Sequence, residues 1–234
     1  MWMAIGTGTS LFNMILSILY DLVDPLGTKI ADKLIPNYIA SRRGNCVSMP
    51  VLFIVLADRQ GLNVTASTAP FHIFMKYTNS ATGKTYNLEA TSGGLPERDA
   101  WLRQNFPMTD EAVKNGVYLK TLTKRETVAV MAEVVLEHFM QEKRYRDVID
   151  TADIILKYYP NFVSAILFRG TAYAGLIDTE FRQKYPTPKD IPLSLRPTYR
   201  SYDEQNRVAF EKAEALGWRE TDGESMPAQQ QIGR

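Results

Sequence analysis

The chain reads as an α+β fold whose second half is all helix. Three observations carry that reading. Two β-prone runs, Phe71–Thr78 and Lys84–Ala90, flank the polar, Gly-containing stretch Asn79-Ser80-Ala81-Thr82-Gly83, the pattern of a hairpin. Val51–Ala57 is apolar at every position and sits between Pro50 and Gly61, as a buried element would. Residues 119–218 show helical patterning and no strand signal.

The bulk numbers narrow the function classes. The chain has 234 residues, enough for one large domain or two small ones, and 45% hydrophobic content supports a packed core. Its 27 Lys and Arg nearly balance its 26 Asp and Glu, for a net charge of +1. That removes the electrostatic case for nucleic acid, which needs a concentrated basic surface. One cysteine cannot form an intrachain disulfide and fits a reducing, cytoplasmic setting.

The elements follow in order. Leu11–Val23 reads as an amphipathic helix. Asn13 and Asp21 break it, it is shorter than the ~20 residues of a membrane span, and no Lys or Arg precedes it. The abrupt start suggests a longer N-terminal region. Lys29–Ser41 is a second helix, separated by Pro25 and Gly27. Periodicity alone does not tell helix from strand for Val51–Ala57. Pro50 near the start, the extension Asp58-Arg59-Gln60 and Gly61 as a cap favour a central helix. Strands are expected at Leu62–Thr68, Phe71–Thr78 and Lys84–Ala90, ending at Thr91-Ser92-Gly93-Gly94. The mostly polar segment 95–118 holds one short helix, Thr109–Asn115.

Thr123 and Glu126 have capping-box spacing and open the helical half. Helices are expected at 124–141, 145–158, 162–177 and 201–216, with Pro160-Asn161 as a breaker and Gly217 as a cap. A Pro-rich stretch, 178–200, lies between the last two. The tail after Glu220 is polar and reads as disordered. The expected division is thus 1–118, 119–218 and a tail, 219–234.

Cys46 lies at or just before the start of the central helix, in Gly44-Asn45-Cys46. Alone it would be a small buried hydrophobe. A helix N-terminus or a neighbouring imidazolium instead lowers a thiol's pKa and makes it a nucleophile, and Arg42 and Arg43 add positive potential if they point inward. Strand alternation puts His72, Phe74 and Lys76 on one face. A loop centred between Ser80 and Ala81 sets His72 directly opposite Glu89, with Asn87 as the diagonal neighbour. A carboxylate there would orient the imidazole, completing a Cys-His-acid set. Glu89 and Asn87 are both candidates for that third place. The backbone at Asn45 and Cys46, the Cys46 N–H above all, supplies the candidate oxyanion donors. His138 reads as a helix-surface residue. Two histidines and one cysteine do not cluster at metal-ligand spacing, so neither metal nor cofactor is expected.

Those residues carry a family resemblance. Gly44-Asn45-Cys46, Val51–Leu56, Arg59-Gln60-Gly61-Leu62-Asn63-Val64, Pro70-Phe71-His72 and Tyr86-Asn87-Leu88-Glu89-Ala90-Thr91 resemble, in order and spacing, the transglutaminase-like core. Over about residues 30–217 the chain resembles the SirB-type branch of that superfamily, in which tetratricopeptide helices follow the core. Tyr118–Glu126 looks like the junction, and Pro160, Gly170 and Tyr173 fall where a repeat has its proline, close-approach Gly and aromatic. Arg169, Val148 and Ile155 depart from the repeat pattern, which leaves a generic helical bundle as the other reading.

The resemblance implies a papain/transglutaminase-like core with Cys46 as nucleophile, His72 as base and an orienting acid. It implies a peptide or protein substrate or partner. The superfamily's acid is usually Asp, where this chain has Glu89. Many SirB-type proteins lack the cysteine, so the fold does not by itself imply activity. Two functions follow as expectations: a cysteine-dependent amide hydrolase or acyl transferase, or a non-catalytic module that binds a partner through its helices.

Overall fold

The computed structural model describes residues 29–220 apart from residue 93. The helix expected at Leu11–Val23 and the tail beyond Glu220 lie outside the described residues. The described chain forms two compact units, one of mixed helix and sheet and one of helices. The sheet unit takes the chain through Met108 and Tyr118–Thr127; the helical unit takes Thr109–Val117 and Val128–Arg219. A single boundary at 118 was expected, and the chain instead changes unit four times among the described residues, the last at Glu220. The hydrogen bonds give the reason. Leu119 N–H bonds to Thr68 O at 2.9 Å and Leu122 N–H to Ala66 O at 3.0 Å, so 119–122 lies along a sheet edge. Thr109 Oγ1 donates to Gly217 O at 2.6 Å and Asn115 Nδ2 to Leu216 O at 3.2 Å, tying 109–117 to the end of the last helix.

The sheet unit begins with a 3-10 turn, Ile30–Lys33, and helix α1 (Ile35–Ser41), where one helix was expected. Pro36 explains the break. It has no N–H to offer the Asp32 carbonyl, four residues back. That carbonyl instead accepts a 2.7 Å bond from Ser48 Oγ, at the start of helix α2 (Ser48–Arg59). Helix is therefore the outcome for Val51–Ala57. Gly61, at φ +69, ends α2 with paired bonds, Gly61 N–H to Asp58 O and Leu62 N–H to Ala57 O, the Schellman arrangement.

Strands β1 (Val64–Ala69), β2 (His72–Thr78), β3 (Thr85–Glu89) and β4 (Leu95–Glu97) form an antiparallel sheet in chain order. The sequence reading has no β4 and no helix α3 (Asp99–Asn105), because 95–108 carries little apolar patterning. Pro70-Phe71 joins β1 to β2, with Ala69 opposite His72. Phe71 takes φ +56, which costs a non-glycine residue about 1–2 kcal/mol.

Alternation gives the sheet two covered faces. Val64, Met75 and Leu88 pack with Tyr38, Met49 and Phe53 on the α2 side. Ala69 and Phe74 pack with Leu102 and Phe106 on the other.

The β2–β3 register differs from expectation by two residues: Met75 faces Leu88, Lys76 faces Asn87 and Thr78 faces Thr85. The loop is centred one residue later than expected. Asn79 Oδ1 accepts from the N–H groups of Ala81 and Thr82, and Gly83, at φ +68, donates back to Asn79 O. A shift of two keeps every side chain on its expected face.

The helical unit holds α4 (Asp110–Lys114), α6 (Glu133–Gln141), α7 (Tyr145–Tyr158), α8 (Val163–Ile177) and α9 (Arg196–Ala215). The chain passes between the units within α5 (Lys124–Met131), whose start carries the expected capping box: Thr123 N–H to Glu126 Oε2 at 2.8 Å and Glu126 N–H to Thr123 Oγ1 at 3.2 Å. The helix expected over 124–141 is divided at Ala132. Helix α9 begins five residues earlier than expected, with Pro197 in its first turn, where a proline is tolerated. Its packing on α8 depends on Gly170, where a Cβ would lie 2.9 Å from the Ala209 Cβ. Among the described residues no helix is long and apolar enough to cross a membrane.

Candidate active site

Gly44-Asn45-Cys46 is shaped by close packing. A Cβ on Gly44 would meet the Tyr38 ring and Met49 Cγ at 2.8 Å, so only glycine fits against the buried tyrosine. Asn45 then caps α2. Its Oδ1 accepts from Val47 N–H at 2.9 Å and Ser48 N–H at 3.3 Å, and its own N–H donates to Ser48 Oγ at 3.1 Å. Met49 N–H already bonds to Asn45 O, so helical hydrogen bonding starts there. Cys46 is held, half-buried, in the turn that leads into α2. The Asn45 N–H was a candidate oxyanion donor. Its bond to Ser48 commits it elsewhere. Arg42 and Arg43 are exposed and do not point inward.

His72 is the first residue of β2 and only 4% exposed. Its Nε2 lies 2.6 Å from Glu89 Oε2, and Glu89 is completely buried at the end of β3. The two meet diagonally, since the register does not set them directly opposite. The other Glu89 oxygen accepts from Thr91 N–H at 2.9 Å and Thr91 Oγ1 at 2.6 Å. Both carboxylate oxygens are therefore satisfied, as a buried charge requires. Phe106 stacks on the His72 ring at 4.3 Å between centroids, with the planes 8° apart.

The Cys46 side chain acts on the same imidazole. Burial is the largest influence on His72 and by itself lowers its pKa. The hydrogen bond to Glu89, the nearby Cys46 side chain and the charges of both together outweigh it and push the pKa up to about 10. Burial likewise raises the Glu89 carboxyl, but the His72 charge and the bonds from His72 and Thr91 overcome it and hold the pKa below the ordinary value. With Nε2 taken by Glu89, the nitrogen left for Cys46 is Nδ1, which is buried and meets no partner at hydrogen-bond geometry. A loose nucleophile–base contact is common before a substrate binds.

Asn87, the alternative third residue, is engaged elsewhere. Its Oδ1 accepts from Lys76 Nζ at 2.8 Å and its Nδ2 donates to Asp99 Oδ1 at 2.6 Å. It faces Lys76 because the hairpin loop sits one residue further on. Burial lowers the Lys76 pKa, partly offset by the Asp99 charge. Two contributors to the site escaped the sequence reading. Thr91 has a readable signal, a hydroxyl two residues beyond the acid where the strand ends. Phe106 has none, because it comes from the polar segment. Among the described residues no cluster of three or more His, Cys, Asp or Glu could hold a metal ion.

The fold and site define an α+β unit that presents a half-buried cysteine to a buried His–Glu pair. No family model matches the chain, and no solved structure does. Two curated relatives do: UPF0162 proteins of Buchnera aphidicola, from subspecies Schizaphis graminum (strain Sg) and Acyrthosiphon pisum (strain APS). Each is 24% identical over 155 residues, 63% of this chain and 55% of the relative. The matched part of this chain thus spans about half the length of those relatives, and neither name states an activity.

Proposed function

We propose that the sheet unit is a transglutaminase-like cysteine hydrolase or acyl transferase acting on amides. The observation that carries the reading is the buried imidazole gripped by Glu89 at 2.6 Å through one nitrogen and acted on by Cys46. Cys46 Sγ attacks the amide carbonyl as the thiolate, its proton having passed beforehand to His72, whose raised pKa favours the charged imidazolium. As the tetrahedral intermediate collapses, His72 returns that proton to the leaving amine and a thioester remains. Water or a second amine then attacks the thioester, with His72 again accepting and returning a proton. Glu89 orients the ring and stabilises its charged form. The Cys46 N–H is the proposed first oxyanion donor. Hydrolysis is the favoured outcome, and the helices following the core are read as tetratricopeptide-type.

An amide-derived electrophile probe tests the reading. Cys46 of the full chain should label at neutral pH, with labelling abolished in Cys46→Ala and slowed at least tenfold in His72→Ala. Mass spectrometry of the trapped adduct then reports the acyl group. Equal labelling of wild type and His72→Ala would sink the enzyme reading. The non-catalytic reading has one observation in its favour: Ile154 and Tyr158, one turn apart on α7, are both exposed.

A further inference from the structure

Glu89 is completely buried, and a carboxylate so placed takes up a proton unless its surroundings favour the charge. The bond to His72 does not secure that charge by itself. A 2.6 Å contact between a ring nitrogen and a carboxyl oxygen suits a proton on either atom. The opposite oxygen decides. Glu89 Oε1 accepts two bonds from one residue, Thr91: from its N–H at 2.9 Å and from its hydroxyl at 2.6 Å. Such donors bond more strongly to a carboxylate than to a neutral acid, and so favour the ionised form. They also fix the orientation. With Oε1 held by Thr91, Oε2 is the oxygen turned to His72.

The backbone places the hydroxyl without help from that bond. Strand β3 ends at Glu89, and the chain turns at once through a 3-10 turn, Ala90–Ser92. Gly94, at φ +67, donates its N–H to Glu89 O at 2.7 Å and closes the turn. Ala90 is buried with Tyr38, Met49 and Phe53. Thr91 is thus anchored from both sides by groups other than its own side chain. The remaining charged groups around the pair are occupied or opposed. Lys76 and Asp99 both bond to Asn87, Arg98 and Arg103 are exposed, and Cys46 acts on His72. Glu97, on β4, works against the charge: burial first, and then repulsion from Glu89, raises its carboxyl.

Resting on the amide-cleaving reading above, we propose that Thr91 is a positioning residue: its hydroxyl keeps Glu89 charged, with Oε2 turned to His72, and so holds the imidazole aligned for Cys46. It acts through Glu89 rather than on the reacting atoms. The consequence lies on the acid side. Burial raises the Glu89 carboxyl, and the His72 charge with the bonds from His72 and Thr91 brings it below 4.5.

Imidazole NMR of the full chain, which has two histidines, tests this. Protonating Glu89 changes the partner of His72 Nε2, so the His72 ring signals report Glu89. His138 is the internal reference, and its signals should be the same in every variant. In wild type the His72 signals should shift with a midpoint below pH 4.5. Thr91→Val keeps the N–H bond and the side-chain shape, and should raise that midpoint by about one pH unit, a tenfold weaker hold on the charge. Thr91→Ala should match it, which excludes a methyl group misplaced against Glu89 as the cause. Thr91→Ser keeps the hydroxyl and should restore the wild-type value. An unchanged midpoint in the Val and Ala variants, or an equal rise in Thr91→Ser, overturns the proposal. Labelling of Cys46 judges the parent reading separately. If wild type and His72→Ala label equally while the midpoint still depends on the hydroxyl, the amide chemistry falls and the hold of Thr91 on Glu89 stands.

Discussion

In the sheet unit Glu89, His72, Lys76, Asn87, Asn45 and Ser48 are buried, whereas the helical unit buries Val148, Ala152, Ile155, Ala165, Ile166 and Ala213. The helical unit keeps its charges outside, in exposed ion pairs such as Arg207 with Glu204 and Glu211, and Arg144 with Asp147. Every buried polar or charged side chain among the described residues other than tyrosine belongs to the sheet unit. Burying such groups costs free energy unless each finds partners, and an apolar replacement is often at least as stable. The helical unit is built as stability alone would build it. The sheet unit carries polar groups that stability does not ask for, so chemistry is to be sought there.

The largest test of that contrast removes the buried acid. Glu89→Ala leaves His72 and Thr91 without their partner and should destabilise the chain by about 3–5 kcal/mol in urea unfolding. The pair also sets a pH window. His72 has a raised pKa when folded, so its contribution is complete below the ordinary 6.5 and is lost as pH rises towards about 10. Glu89 has a lowered one, so its contribution is present above 4.5 and is lost as pH falls through the lower folded value. Unfolding midpoints should therefore peak between about pH 5 and 6.5 from this pair, and Glu89→Ala should flatten the profile. A variant with an unchanged profile would show that the pair is not ionised in the folded chain.

A smaller effect is expected from packing in the other unit. Gly170→Val forces a branched side chain against Ala209 and Phe210 and should cost about 1–3 kcal/mol. Its cost should be independent of pH across the same window, since no titratable pair is touched. A strong pH dependence would break the distinction drawn between the units. The smallest effect belongs to the exposed pairs. Arg207→Ala removes two ion pairs at once, yet should leave the thermal midpoint unchanged within error, because water and salt screen such contacts.

Much of the helical unit is legible from sequence because its signals are local. The breaker Pro160 and the cap Gly217 each act within a turn or two of the backbone. The segment 95–108 is not legible in the same way. Strand β4 is three residues long, and Leu102 and Phe106 become core only because the sheet lies above them. At the site, alternation places His72 and Glu89 on one face whatever the even register shift. The loop at Asn79–Gly83 then decides that Asn87 meets Lys76 and that His72 meets Glu89 diagonally.

The sequence by itself determined the candidate residues and their order: a lone cysteine at a helix start, a histidine opening one strand and an acid closing the next. Those follow from periodicity, glycine and proline, which act over a few residues. Only the tertiary structure decided which groups meet. The meeting of His72 with Glu89 and the ring of Phe106 over His72 depend on segments brought together in space. Contacts between distant segments are set by packing the whole chain at once, and no local pattern records them.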